Sequence, residues 1–434
     1  MQVIVTAASY LHRSRQRCLE GLPMMRLSRR STLALLSGSA LAAPFIRRAG
    51  AQDKTITIGL DLPLTGAQAD TANLVRYGVQ SAVDGINEKG GIAGYKLGIL
   101  TLDDGTATAG QYDPAQAATN ARKMVSDPTV MAAIGPMNSG AAKAMTPILS
   151  QGGLAIITPS ATNPDLTNPK FAQIYRPAGQ LVFFRTVTTD AFQGPSMANF
   201  YQETLKLKSV YILDDSGAYG VGLADAFEGQ ARAKGLTVMG RDQLDPKQAD
   251  YSAILTKIKS LNPESLYAGG DAQAGVKLMK QSYEIMPAMV KGGGDGFFGP
   301  ELLTAGGFPA AQGWYATVAS PHVTEDKDVE PWLKSFQDKF GRQPSDYSIT
   351  GYDGVMVIAD ALGRVAKAGP VTRAAMRAAI ANAKVKTFQG EVSFDENGDM
   401  ASRTVSIFQI RRDDAYPPGD VIHQYKYIGV APSV

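Results

Sequence analysis

Apolar runs of strand length alternate with helical stripes along most of the chain, separated by short Gly, Pro and Asn turns. That alternation restricts the fold to α/β, with parallel sheets and helices on their faces. Residues 55–60 place Ile56, Ile58 and Leu60 on one face of a strand. Val79, Ala82, Val83 and Ile86 then recur at helical spacing until Lys89-Gly90-Gly91 ends the helix. Residues 95–102 read as the next strand, 115–125 as a helix, and 130–134 and 154–157 as further buried strands. A second series restarts after Arg176-Pro177, with strands at 210–213, 236–240 and 265–267 and helices at 219–233, 251–260 and 272–282. Trp332, Leu333, Phe336 and Phe340 mark one more helix, Val355, Ile358, Ala359 and Leu362 another, before a β-rich end at 390–427. Two βα series predict two Rossmann-like lobes.

Two of these strand ends are dense in hydrogen-bonding side chains. Ile134-Gly-Pro-Met-Asn-Ser-Gly140 leads into an Ala-rich run at 141–144, and Ile156-Ile-Thr-Pro-Ser-Ala-Thr162 follows the run at 154–157. Open α/β sheets bind ligands outside the carboxyl ends of their strands, where N–H groups at helix starts point outward. Ser and Thr hydroxyls donate and accept, and Asn adds an amide. Asn138, Ser139, Ser160, Ala161 and Thr162 therefore form a candidate lip for a small ligand with a carboxylate or another hydrogen-bonding head group. The same residue types also make ordinary caps and turns, and one segment alone does not separate the two readings.

The N-terminal 51 residues have a different character. Ser28-Arg29-Arg30-Ser31-Thr32-Leu33 resembles a twin-arginine export motif, with Thr32 where Phe is usual. An apolar stretch at 33–45 follows, and Ala49-Gly50-Ala51 offers a small-residue cleavage site. The stretch is shorter than the ~20 apolar residues of a membrane span. Residues 1–51 are expected to be a cleaved leader, begun at Met1, Met24 or Met25, and the product to be soluble and periplasmic. That leader holds eight Arg, no Lys and one Glu. Of 43 basic and 40 acidic residues, 35 and 39 then remain, and the formal charge passes from +3 to −4. The basicity belongs to the leader and gives no argument for nucleic-acid binding. Cys18, the one cysteine, lies there too, and His322 and His423 are the histidines left. No transition-metal site and no cofactor are expected.

Catalytic patterns are weak. Neither histidine neighbours a G-x-S-x-G elbow, and no Walker A run occurs. Gly294-Asp-Gly-Phe-Phe-Gly299 matches G-x-G-x-x-G in letters, but Pro300 follows at once with no clear ribose-binding acid after it. The pairs Asp103-Asp104 and Asp214-Asp215 sit at strand ends, where neighbouring side chains face opposite sides. The chain is not read as an enzyme.

The two hydroxyl segments together resemble the type I periplasmic solute-binding proteins of the leucine/isoleucine/valine-binding family. Other matching pieces stand in the family's order. They are residues 59–66, Asn87-Glu-Lys-Gly-Gly-Ile92, Asp113-Pro114, Gln193-Gly194-Pro195, Tyr219-Gly220, Tyr267-Ala-Gly-Gly270, Tyr352-Asp353 and Phe394-Asp-Glu-Asn-Gly-Asp399. The resemblance implies two lobes joined by a multi-strand hinge, 52–176 with 322–387 and 177–321 with 388–434. It also implies roles. Residues matched by Ser139 and Thr162 hold the α-carboxylate and α-ammonium of an amino acid, helped by backbone at Ser160 and Ala161. The position of Asp295 pairs with the ammonium, and that of Tyr219 covers the ligand. Asp271 and Thr71 depart from the family, standing where leucine-binding members carry aromatics. They predict a less apolar, roomier side-chain pocket and leave branched-chain selectivity open. The function implied is capture of an amino acid of the branched-chain or hydrophobic class, by a monomer, for the membrane permease of an ABC importer. Two alternatives stay open: an amide, urea-like or aromatic-acid solute on the same fold, and a ligand-sensing regulatory module.

Overall fold

The computed structural model describes residues 54–434, so the expected leader, its cleavage site and Cys18 lie outside the described residues. Two sheets organise the rest. The first has five parallel strands in the order Tyr95–Asp103, Lys54–Leu62, Val130–Ile134, Ile156–Thr158, Phe183–Arg185. The second has seven, in the order Tyr425–Val430, Ser406–Ile410, Tyr315–Val318, Val290–Gly293, Ser265–Gly269, Ser209–Asp214, Thr237–Gln243. Its last five strands run parallel, while Ser406–Ile410 and Tyr425–Val430 are antiparallel additions. Parallel strands need covered faces, and the apolar sides of the intervening helices cover them. Ile58, Leu60, Val79 and Val83 are buried together in the core, as the spacing predicts.

The chain returns to the first sheet late in its course. Helix Asp346–Ala368 packs along helix Ala69–Glu88 so closely that a Cβ on Gly78 would stand 2.0 Å from the Ser348 carbonyl oxygen. Helix Arg373–Ala381 follows, and the Arg373 guanidinium donates to the carbonyls of Val130 (2.8 Å), Val125 (2.8 Å) and Met124 (3.1 Å). The first sheet also reaches past Arg176 to take in Phe183–Arg185. Arg176-Pro177 is a turn after the short helix Ala172–Tyr175. Likewise the Gly398 carbonyl accepts the N–H of Arg185, so the chain stays with the first sheet past Phe388. No described helix is long and apolar enough to cross a membrane.

Candidate functional site

Six parallel strands deliver their carboxyl ends to one small cavity of ≈ 30 Å³. Gln68 and Thr71 come from the connection after Lys54–Leu62, and Met137, Asn138 and Ser139 follow Val130–Ile134. Ser160 follows Ile156–Thr158. The second sheet supplies Tyr219 after Ser209–Asp214, Asp271 after Ser265–Gly269, and Asp295, Gly296, Phe298 and Glu301 after Val290–Gly293. Tyr347 enters from helix Asp346–Ala368. This is the position at which open α/β sheets bind ligands.

Asp295 is the most heavily supported group. Its carboxylate accepts the hydroxyls of Tyr219 and of Tyr347 (2.7 Å), while its own N–H donates to Gln193 Oε1 at 2.8 Å. Burial raises the Asp295 carboxyl above its ordinary value, offset in part by these donors. Burial and then the Asp295 charge push both tyrosine hydroxyls up, which keeps them protonated as donors. The flanking glycines have a steric role: a Cβ at Gly294 would stand 2.3 Å from the Tyr219 hydroxyl. Facing this acid, Ser139 and Ser160 present hydroxyls from the first sheet. Ser160 Oγ donates to the Met137 carbonyl (2.9 Å), and Ser139 Oγ accepts the Asn163 N–H (3.2 Å).

Asp271 and Thr71 do not open extra room. Asp271 is bridged to the first lobe by Gln68 Nε2 (3.1 Å) and Asn138 Nδ2 (3.1 Å), and Thr71 Oγ1 donates to both oxygens of Glu301 at 2.9 Å. Polar pairs thus fill the space that two aromatics were expected to vacate. Asn138 precedes helix Ser139–Gly152 yet makes no side-chain cap bond there, and its Oδ1 has no partner although the residue is buried. Burial, then Asp215 and Asp295, push the Asp271 carboxyl far up; burial pushes Glu301 up to about 7. Among the described residues no Lys, Arg or His lines the cavity.

Ala161 and Thr162 stand behind this lining. The Ala161 N–H donates to Thr158 Oγ1 (2.8 Å), and its carbonyl accepts from the fully buried Arg185 (2.5 Å). Thr162 is fully buried with its hydroxyl beside the buried acid Asp190, whose N–H donates to the Thr162 carbonyl. Of the strand-end acids, Asp103 accepts the N–H groups of Leu64 (2.9 Å) and Gly105 (2.8 Å), while Asp104 is buried without a side-chain partner. Asp214 pairs with Arg241 (2.8 Å), and Asp215 accepts the N–H groups of Gly217 and Asp271 (2.9 Å each). Sequence reasoning missed Gln68, Gln193, Glu301 and Tyr347. Gln193 alone had a signal, standing in the matched Gln193-Gly194-Pro195.

A family profile described as periplasmic binding protein matches residues 55–415. The chain is 34% identical over 359 residues to the Leu/Ile/Val-binding protein BraC3 of Rhizobium johnstonii, covering 82% of this chain and 91% of that one. It is 30% identical over 373 residues to the leucine-, isoleucine-, valine-, threonine-, and alanine-binding protein of Pseudomonas aeruginosa, covering 83% and 91%. Among solved structures, the leucine-binding protein LivK of Thermotoga maritima superposes with a TM-score of 0.74 at 26% identity, covering 87% of this chain and 98% of that one.

Proposed function

Since the chain belongs to the periplasmic-binding-protein family, we propose that it is the exported substrate-binding protein of an ABC importer, capturing an α-amino acid between its two lobes. The lobes of this proposal are those built on the two sheets, and the partner is a membrane permease. The protein itself transforms nothing. Amino acids of the branched-chain or hydrophobic class are the first to test, on the strength of the relatives' names.

One observation supports the head-group assignment above the rest: Asp295 is fixed by two tyrosine hydroxyls across a cavity that no cationic side chain lines. A buried carboxylate without a cation calls for one from the ligand, and an α-ammonium supplies it. The Ser139 hydroxyl, whose oxygen accepts from Asn163 and whose proton is free to donate, then suits the α-carboxylate through a charge-assisted bond. An aromatic acid, anionic and without an ammonium, fits this electrostatic setting poorly.

Calorimetric titration of the chain from Gln52 onward with Leu, Ile, Val, Thr and Ala is the test. Binding of at least one is expected. Failure of every α-amino acid, alongside binding of a simple amide or benzoate, would retire the amino-acid reading and leave the fold assignment intact.

A further inference from the structure

The wall of the cavity formed by Asn138, Asp271 and Glu301 has more acceptor capacity than donors to fill it. Glu301 receives one hydroxyl proton, from Thr71, shared between two carboxyl oxygens. Asp271 receives one amide donor on each oxygen, from Gln68 and Asn138. Asn138 Oδ1 receives none, although the residue is only 4% exposed and lines the cavity. A carboxyl oxygen and an amide oxygen each have two lone pairs, so several acceptor positions on this wall have no protein donor. Leaving buried acceptors unpaired is costly, whereas a ligand that supplies the missing hydrogens recovers that cost on binding.

We infer that the side-chain end of this pocket selects amino acids whose side chain carries a neutral hydrogen-bond donor, a hydroxyl or a primary amide, over aliphatic side chains of the same shape. The inference rests on the head-group reading above and narrows its substrate class. Size follows from the same geometry. The Thr71–Glu301 and Gln68–Asp271 contacts bring the two lobes together beside the cavity, so the donor must sit on a short side chain. Threonine and asparagine fit that description. Their near-isosteres valine and leucine would place methyl groups against Asn138 Oδ1 and the two acids, removing water from them without replacing its hydrogen bonds.

The test is a pairwise calorimetric comparison, Thr against Val and Asn against Leu, on the unmodified chain from Gln52 onward. A hydrogen bond to a buried acid predicts the donor-bearing member of each pair to bind about tenfold to a hundredfold tighter. In Asp271→Leu that preference should shrink or invert, with the melting transition reporting that the variant is folded. If Val and Leu bind as tightly as Thr and Asn to the unmodified protein, the acceptor wall is satisfied by water and this inference falls while the head-group reading stands. If no α-amino acid binds and Asp295→Asn changes nothing, both fall together.

Discussion

Asp295→Asn separates affinity from stability, because the charge that a ligand needs is one the empty protein is burdened by. In the folded chain the Asp295 carboxylate is buried, accepts the Tyr219 and Tyr347 hydroxyls, and has no cation beside it in the cavity lining. The substitution conserves size and one acceptor oxygen while removing the charge. A ligand ammonium then loses its counter-charge inside a desolvated site, and breaking a buried pair from one side costs about 3–5 kcal/mol. At 1.4 kcal/mol per decade, affinity should fall by about two to three and a half decades. Stability without ligand should move the other way or hold, since burial already penalises the charged form. Titration calorimetry with any α-amino acid that the unmodified protein binds gives the first quantity, and scanning calorimetry of ligand-free protein gives the second. A folded Asp295→Asn protein that binds within threefold of the original would refute the pairing of Asp295 with an ammonium.

Glu301 predicts a pH dependence. Its carboxyl is raised by burial from 4.5 to about 7, so between those values the folded chain holds a proton that the unfolded chain has lost. Stability from this group is full below pH 4.5 and is lost as pH rises to 7, by at most about 3 kcal/mol. Glu301→Gln should therefore raise the urea midpoint at pH 8 more than at pH 4.5, and an equal change at both would count against the account. Arg185 joins Ala161, Asn163 and Thr167 to Asp399 from a fully buried position. Arg185→Met takes the donor from the Ala161 and Asn163 carbonyls and the cation from Asp399, and should cost about 3–5 kcal/mol in guanidinium denaturation. Gly78→Ala would add about 1 kcal/mol of helix propensity in an open helix. Here the new Cβ meets the Ser348 carbonyl at 2.0 Å, so a lower melting temperature is expected from overpacking.

The parts of the fold with their own periodicity were legible in the sequence. The strand Val130–Ile134 and the helices Pro114–Ser126 and Ala218–Ala233 lie within a residue of where the apolar spacing puts them. Helix Asp190–Asn199 was not found, because it is buried nearly all round and holds Pro195, which leaves neither a stripe nor an uninterrupted helical composition. The antiparallel pairing of Ser406–Ile410 with Tyr315–Val318 joins strands about ninety residues apart, with no local mark of the partner. The site divides in the same way. The hydroxyl lip shows because its residues cluster in two short segments. Gln68, Glu301 and Tyr347 do not, because each is a lone polar residue whose meaning comes from a contact 203, 230 or 52 positions away. Resemblance placed Asp295 and Tyr219 in one site, but only the three-dimensional arrangement gives the bond between them.

The division of chemistry between the lobes bears on how such a cleft responds to its ligand. The first lobe contributes Gln68, Thr71, Asn138, Ser139 and Ser160, none of them ionisable in the ordinary range, while Asp271, Asp295 and Glu301 come from the second. An open second lobe keeps its carboxylates hydrated. Closing it over nothing strips that water and offers only neutral donors in return, with the rise of the Asp271 and Glu301 carboxyls as the sign of the penalty. On the proposed reading, a bound zwitterion changes that balance at both poles, its ammonium against Asp295 and its carboxylate against the hydroxyl lip. Closure is then favourable in proportion to what the ligand contributes to the closed state alone, which is the condition for a ligand to shift a conformational equilibrium. The Gln68–Asp271 and Thr71–Glu301 contacts cross between the two lobes, so they too belong to what the closed arrangement gains.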